Sequence, residues 1–436
     1  MGYAFNLPLD AATASDTLGA LHAARTPQWV GALSVVYETV EDLEHIATAG
    51  PVAARAAMAG NAQMPSRVRD RLLHDPDPEV RTHLAQNTAT SLRILRELAA
   101  DADPRVRSAV VRHKKVSSDI LAALSRDADP AVRATIAQSG SKADVVFLSH
   151  DPAPEVRYEV GRFCRDPETL VRLSHDPEAQ VRLGVAQSWY LPASVAAALL
   201  SHLAVDADPE VRAAVARHAQ TPGNTLAVLT HDADPAVRRT LAVYGRLDAA
   251  LLQTLARDAD GAVRLAIVNR WKLPEAILVT LLADPDPNIR RRVAEKTSHV
   301  DALDLLGGDT DRDVRLVVAR NPHTPGDVLT ALSTDADPAV RLAVADHPQA
   351  SRMALKTLGH DDTATIRQAV ARHAETPGAI FMDLQDDPAL AVRLALADNA
   401  RASHVVLEHL SHDADPTVRT TAVQRLAQSG LAATVG

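Results

Sequence analysis

The run Asp206-Ala207-Asp208-Pro209-Glu210-Val211-Arg212-Ala213-Ala214-Val215-Ala216-Arg217-His218, followed by Thr221-Pro222 and then Leu226 and Leu229, is one copy of a pattern that returns along nearly the whole chain. Fourteen times an Asp stands six residues ahead of an Arg, in a frame that reads Asp-x-Asp-Pro-x-Val-Arg when complete. Asp75 to Arg81, Asp101 to Arg107 and Asp232 to Arg238 are complete copies, and Asp258 to Arg264 lacks only the proline. The arginines fall at 81, 107, 133, 157, 182, 212, 238, 264, 290, 315, 341, 367, 393 and 419, and Arg55 fits without its Asp. Ten of the fourteen intervals from Arg55 to Arg419 are 26 residues; the others are 24, 25, 25 and 30. A fixed period of this size means a solenoid, in which each unit buries its apolar face only against its neighbours.

Within one unit, Asp208 is placed as an N-cap, because its carboxylate accepts orphan amides, and Pro209 as a first-turn residue with no amide to orphan. Val211, Ala214, Val215 and Ala216 give the helix that follows one apolar face. It is expected to end near His218, at a place held by Asn61, Asn87, Asn321 and Asn399 and by His113, His347 and His373. Both residue types tolerate the left-handed conformation that closes helices, and closure of that kind is expected. Thr221-Pro222 then opens a second helix or 3₁₀ segment. Its core columns are Leu226 and Leu229, repeated as Leu95 and Leu98, Leu121 and Leu124, Leu278 and Leu281, Leu329 and Leu332, Leu407 and Leu410. The expectation is an all-α solenoid of about 15 two-segment repeats of about 26 residues.

Composition narrows the function classes. Hydrophobic residues are 46% of the chain and aromatics only 3%, so the core is Ala, Val and Leu. A formal charge of −9 argues against a general polyanion binder. The single cysteine, Cys164, forms no internal disulfide and no thiolate cluster, which suits a reducing cytoplasm. No apolar run is long enough to span a membrane.

The Asp-Pro-x-Val-Arg-x-Ala-Val-Ala run, the turn Asn321-Pro322-His323-Thr324-Pro325 and the paired leucines resemble the leucine-rich repeat variant family, over roughly residues 50 to 428. The resemblance implies a right-handed superhelix of alternating α and 3₁₀ segments. The period here is slightly longer than that family's, which would lengthen the second segment toward a true α-helix. One member of the family carries an N-terminal cysteine-ligated iron–sulphur cluster. No cysteine precedes Cys164, so no cofactor is expected. Residues 27–48 read as a degenerate first unit with Trp29 in the place of Arg, residues 1–26 as an N-terminal cap, residues 157–211 as irregular units, and 428–436 as a tail after a solenoid spanning 27–427.

An Asp–Arg constellation suits acid–base work or phosphate clamping, but a motif present in every unit marks no single site. Asp75, Arg81, Asp101, Arg107, Asp206, Arg212, Asp232, Arg238, Asp258 and Arg264 are therefore read as a structural ladder of ion pairs and amide bonds. The 18 histidines mostly fill the helix-end column and a second column, just before the Asp, that includes His74, His150, His175, His231, His360 and His412. Neighbours in a column of stacked helices stand about 8 to 10 Å apart, too far to share a metal ion. No catalytic residue and no metal site is assigned.

The pattern breaks in its centre. Of the twelve aromatic residues, Phe163, Trp189, Tyr190, Tyr244 and Trp271 fall six to eight residues past a frame Arg, in the turn between the two segments. Arg165, Arg246, Arg270 and Lys272 share that offset, and Lys296 follows. Rings beside arginines on an exposed edge are what binding hot spots use, and they also suit stacking on bases. The other reading is that each ring fills a gap over the next turn. The 30-residue interval beside Trp189 and Tyr190 favours binding, since an insertion is expected to bend or widen the stack.

A non-enzymatic protein-interaction scaffold, with an unidentified protein or peptide partner, is the first functional reading. A nucleic-acid binder of HEAT-like form, including a DNA glycosylase of the alkylpurine type, is the second. An assembly factor for a bound cluster is the third, and the missing cysteines count against it.

Overall fold

Asp208 accepts the Glu210 amide at 2.7 Å, and Pro209 is the first residue of the helix it caps, Pro209–Arg217. The same start recurs at Asp103 ahead of Pro104–Val111 and at Asp337 ahead of Pro338–Ala345. In this computed structural model, residues 40–139 and 142–433 are described. All their regular structure is helical, arranged as repeats of one longer and one shorter helix. The cap expected at 1–26, and Pro27 and Trp29 of the degenerate unit, lie outside the described residues. The chain forms two compact units, Met1–Thr221 and Pro222–Gly436.

In the first unit, Pro104–Val111 followed by Ser118–Leu124 is a representative pair; in the second, Arg312–Arg320 followed by Gly326–Leu332. The second segment is α-helical in both, as the longer period implied. Within each unit the longer helices pack on their successors and the shorter helices pack beside them, which gives an α-solenoid. The residue before each frame Arg and the residue three after it carry the core. Val106 and Val110, Val314 and Val318, and Ile366 and Val370 are all fully buried. Each such side chain contributes roughly 1.5–3 kcal/mol. Of the leucine columns, only Leu121 is half-exposed among those named above; Ile120 is buried beside it.

The frame Arg ties this stack together, though its carboxylate partner lies in the following repeat. Arg238 Nε donates to Asp258 Oδ2 at 2.6 Å and its Nη2 to Oδ1 at 2.8 Å, a bidentate pair across 20 residues. Its own frame residue, Asp232, supplies the backbone carbonyl, which accepts from Nη1 at 2.6 Å. The Asp258 carboxylate also accepts the Asp260 amide at 2.9 Å, and Asp260 caps the next helix. The geometry recurs from Arg55–Asp75 to Arg182–Asp206 in the first unit and from Arg238–Asp258 to Arg393–Asp413 in the second. The side chains of Arg238 and Asp258 are only 15% and 6% exposed, so removing one partner strands a buried charge and costs far more than breaking a surface ion pair.

Two expectations are corrected here. Helices do not end in the left-handed conformation: Asn321 has φ −70° and ψ 124°, His218 φ −71° and ψ 130°, both extended. The reason is a second ladder. Asn321 Nδ2 donates to the carbonyls of Ala294 and Thr297 at 2.6 and 2.9 Å, while its Oδ1 accepts the His323 amide. His347 repeats this with Nε2 on the Asn321 carbonyl at 3.0 Å and Nδ1 accepting the Gln349 amide, which fixes the Nε2–H tautomer. Thr324 closes the turn by donating to the Val318 carbonyl. Nor does the 30-residue interval disturb the stack. The extra residues lengthen one short helix, Ala193–Leu203, to 11 residues, and Arg182 still reaches Asp206 at 2.6 Å. The last helix runs on to Ala433, into the segment read as a tail.

Burial pushes the Asp258 carboxyl up, but the Arg238 bonds and the Asp260 amide outweigh it and hold it below its ordinary value. Asp206, Asp335 and Asp361 behave alike, and at Asp309 the Arg290 bond is itself the largest influence. A carboxylate held below its unfolded value adds stability above about pH 3.9 and loses it as pH falls through the folded value. The urea midpoint is therefore expected to stay flat from pH 7 to pH 5 and to drop steeply below about pH 4. A midpoint unchanged at pH 3 would contradict the ladder's charge.

Candidate functional site

The turn after each longer helix is where the repeated residues stop dictating the side chain, and there each unit carries one aromatic and basic edge. In the first unit the longer helices Pro154–Phe163 and Ala179–Ala186 approach closely: a Cβ added to Gly184 would lie 2.4 Å from the Tyr158 carbonyl oxygen. Tyr158 lies over the contact and donates to Gln187 Oε1 at 3.0 Å. The Arg162 guanidinium stands 5.6 Å from the Tyr158 ring and 5.2 Å from that of Phe163, which is half-buried. Arg165, exposed, stacks at 4.1 Å over Tyr190. Tyr190 is 47% exposed and Trp189 77%. Phe163 is therefore partly packing, whereas Trp189 projects into solvent. Cys164 is buried beneath this edge, and burial pushes its thiol up, away from the reactive thiolate.

In the second unit Tyr244 is 61% exposed and Trp271 90%, the most exposed of the large rings described. Arg246 and Lys272 are exposed beside them. Arg270 is different. It occupies the column of Asn321 and His347, and its guanidinium donates to the carbonyls of Ala242 at 2.6 Å and Gly245 at 3.0 Å. Lys296, one repeat on, donates from Nζ to the Arg270 carbonyl at 2.7 Å. Both are rungs of the second ladder as well as charges. Burial pulls the Arg270 guanidinium below its ordinary value, and burial followed by the Arg292 charge does the same to Lys296.

Other features offer less. A shallow groove of about 560 Å³ in the first unit is lined by Pro167, Glu168, Val171, Arg172, His175 and Val195, but Arg172 is committed to the Ser149 carbonyl and hydroxyl. His175 and His202 stack at 4.2 Å, and His175 Nδ1 is held on the Val171 carbonyl. Among the described residues no three His, Cys, Asp or Glu side chains are grouped to hold a metal ion, and no helix is long and apolar enough to cross a membrane. The second ladder was missed in the sequence. Its signal in the sequence is the Asn and His column at the repeat period, which fits simple helix closure equally well.

These helix pairs define an α-solenoid repeat protein with exposed turn edges. The sequence profile of the leucine rich repeat variant matches residues 209–234 and 312–337. A solved structure described as a leucine-rich repeat variant with a novel repetitive protein structural motif is 31% identical, covering 51% of this chain and 87% of its own, with a TM-score of 0.40. The chain belongs to the leucine-rich repeat variant family. Kap121p bound to RanGTP and Kap121p bound to Pho4p are 11% and 12% identical, with TM-scores of 0.34 and 0.36. They cover 96% and 97% of this chain, which spans about half of each, 51% and 53%, and these likenesses are too distant to carry weight. No curated protein matches the chain.

Exposure separates the edges from the ladder in a way that melting can read. Trp271→Ala with Tyr190→Ala should leave stability within about 0.5 kcal/mol of the parent, as surface changes do. Arg238→Ala, which strands a buried carboxylate, should cost about 3 kcal/mol. Equal losses in urea titrations would make the rings core.

Proposed function

We propose that the chain is a non-enzymatic scaffold that binds protein partners in the cytoplasm through the turn edges of its repeats. The observation that carries this reading is the exposure of Trp189 and Trp271 in a protein whose core is mostly Ala, Val, Leu and Ile. Large rigid rings in solvent beside arginines are the residues that dominate binding energy when a partner covers them. Support also comes from the structural occupation of the repeated Asp and Arg side chains, which leaves them nothing to do in catalysis.

A second reading, single-stranded nucleic acid on the edge of the second unit, draws on the same rings and on the cations around them. Affinity capture from cell extract, with and without nuclease, compares the two. A partner protein that survives nuclease and is lost with Trp189→Ala/Tyr190→Ala or with Trp271→Ala/Lys272→Ser is the expected result. Recovery only while nucleic acid is intact would favour the second reading, and identical capture by parent and both variants would overturn the edges as binding sites.

A further inference from the structure

The helix-end column supplies a donor that reaches the preceding repeat's carbonyls, and Asn or His there also accepts the amide two residues on. Neutral side chains suffice: Asn87 donates to Ala59 and Asn61, Asn321 to Ala294 and Thr297, and His373 to the carbonyl of His347. Arg270 makes the equivalent bonds to Ala242 and Gly245, and Lys296 makes one to Arg270. Arg270 reaches one further carbonyl, Val243 at 3.4 Å, but neither cation can accept the amide two residues on, so the change brings no net gain in backbone bonding. It adds charge, and that charge is partly desolvated, which opposes stability.

Little in the described structure offsets it: Glu295 favours the Lys296 charge, but less than burial and Arg292 oppose it. Arg292 pairs with Glu295 and Arg312 with Asp337, yet no described carboxylate forms an ion pair with Arg246, Arg270, Lys272 or Lys296. Four cations with no ion pair among the described residues, on three successive repeats of a chain of net charge −9, share the turn edge that carries the exposed Trp271. We infer that this edge of the second unit, from Tyr244 to Lys296, is the docking site for an acidic linear segment of a partner protein, with Trp271 covered by an apolar side chain of that segment. The inference rests on the scaffold reading and deepens it.

Charge and length select this occupant. Three stacked repeats extend about 20 Å at helix-packing spacing, the reach of roughly six extended residues at about 3.3 Å each. Four cations match two to four carboxylates on such a segment. A polyphosphate chain continuing past the edge would run onto an acidic protein and gain few further contacts. Trp271 adds a hydrophobic anchor, so the segment carries acidic residues flanking at least one large apolar one.

The test separates charge from architecture by using the ladder's own neutral rung. Arg270→Asn/Lys296→Asn retains donors for the backbone carbonyls and is expected to melt no earlier than the parent. A phage library of random 12-residue peptides is selected on the full chain, and the enriched peptides are titrated against the parent, this variant and Trp271→Ala. Enrichment of acidic peptides containing a large apolar residue, with binding weakened about tenfold or more by each variant and by raising salt, is the expected result. Enriched peptides that are not acidic, no enrichment at all, or equal binding by parent and Asn variant would overturn the inference. So would tighter binding of the oligonucleotide dT12 than of any selected peptide. Peptides lost with Trp189→Ala/Tyr190→Ala but kept by the Asn variant would overturn this assignment while leaving the scaffold reading intact. An Asn variant that melts well below the parent would give those two cations a structural share; Arg246→Ser/Lys272→Ser, which touches no rung, then reads the binding, and binding unchanged by it would overturn the inference.

Discussion

The bidentate bond from a frame Arg to the Asp of the following repeat, recurring within each unit, is the constraint on which the rest of this architecture depends. A repeat of Ala, Val and Leu presents nearly the same surface to its neighbour in several registers, since small aliphatic side chains interdigitate without strong directional preference. The Arg fork removes that ambiguity. Its Nη1 is held by the carbonyl of its own frame Asp, so the remaining two donors point at one place only, where the next repeat's carboxylate sits. That carboxylate in turn holds the amide of the residue that caps the next helix. One side chain thus fixes helix start, repeat spacing and register together. The pair tolerates intervals from 18 to 24 residues, at Arg133–Asp151 and Arg182–Asp206, without lengthening.

The second ladder has looser chemical demands, and function enters through that looseness. Where Asn or His makes the rung, as at Asn321 and His347, the helix end is neutral and buried. Where Arg270 or Lys296 makes it, the donated bonds to the preceding repeat are kept and a positive edge appears. A repeat protein can in this way acquire a charged binding surface at one place without disturbing its stack. The rings behave likewise: Phe163 is half-buried under the Arg162 guanidinium, whereas Trp189 and Trp271 are left in solvent.

Much of this was legible before any coordinates. Asp208 and Pro209 announce a helix start by their chemistry, and Val211 and Val215 mark the core face by their spacing. The tie across repeats was harder to read, because the Asp six residues ahead of each Arg is the more visible partner and contributes only its carbonyl. The conformation of the Asn and His column also escaped, since a side chain that closes a helix and one that reaches back to another repeat share the same position and residue types. Arg270 shows the limit most clearly. Its offset placed it on the exposed edge, and only its bonds to Ala242 and Gly245 reveal that it is also a rung.

The central claim is that Arg couples forward, to the next repeat, and not to its own frame Asp. Double-mutant cycles in urea, pairing Arg315→Ala first with Asp335→Ala and then with Asp309→Ala, measure this directly. A coupling of about 1 kcal/mol or more is predicted for Arg315 with Asp335 and a much smaller one with the Asp309 side chain. Equal couplings, or none with Asp335, would contradict the account.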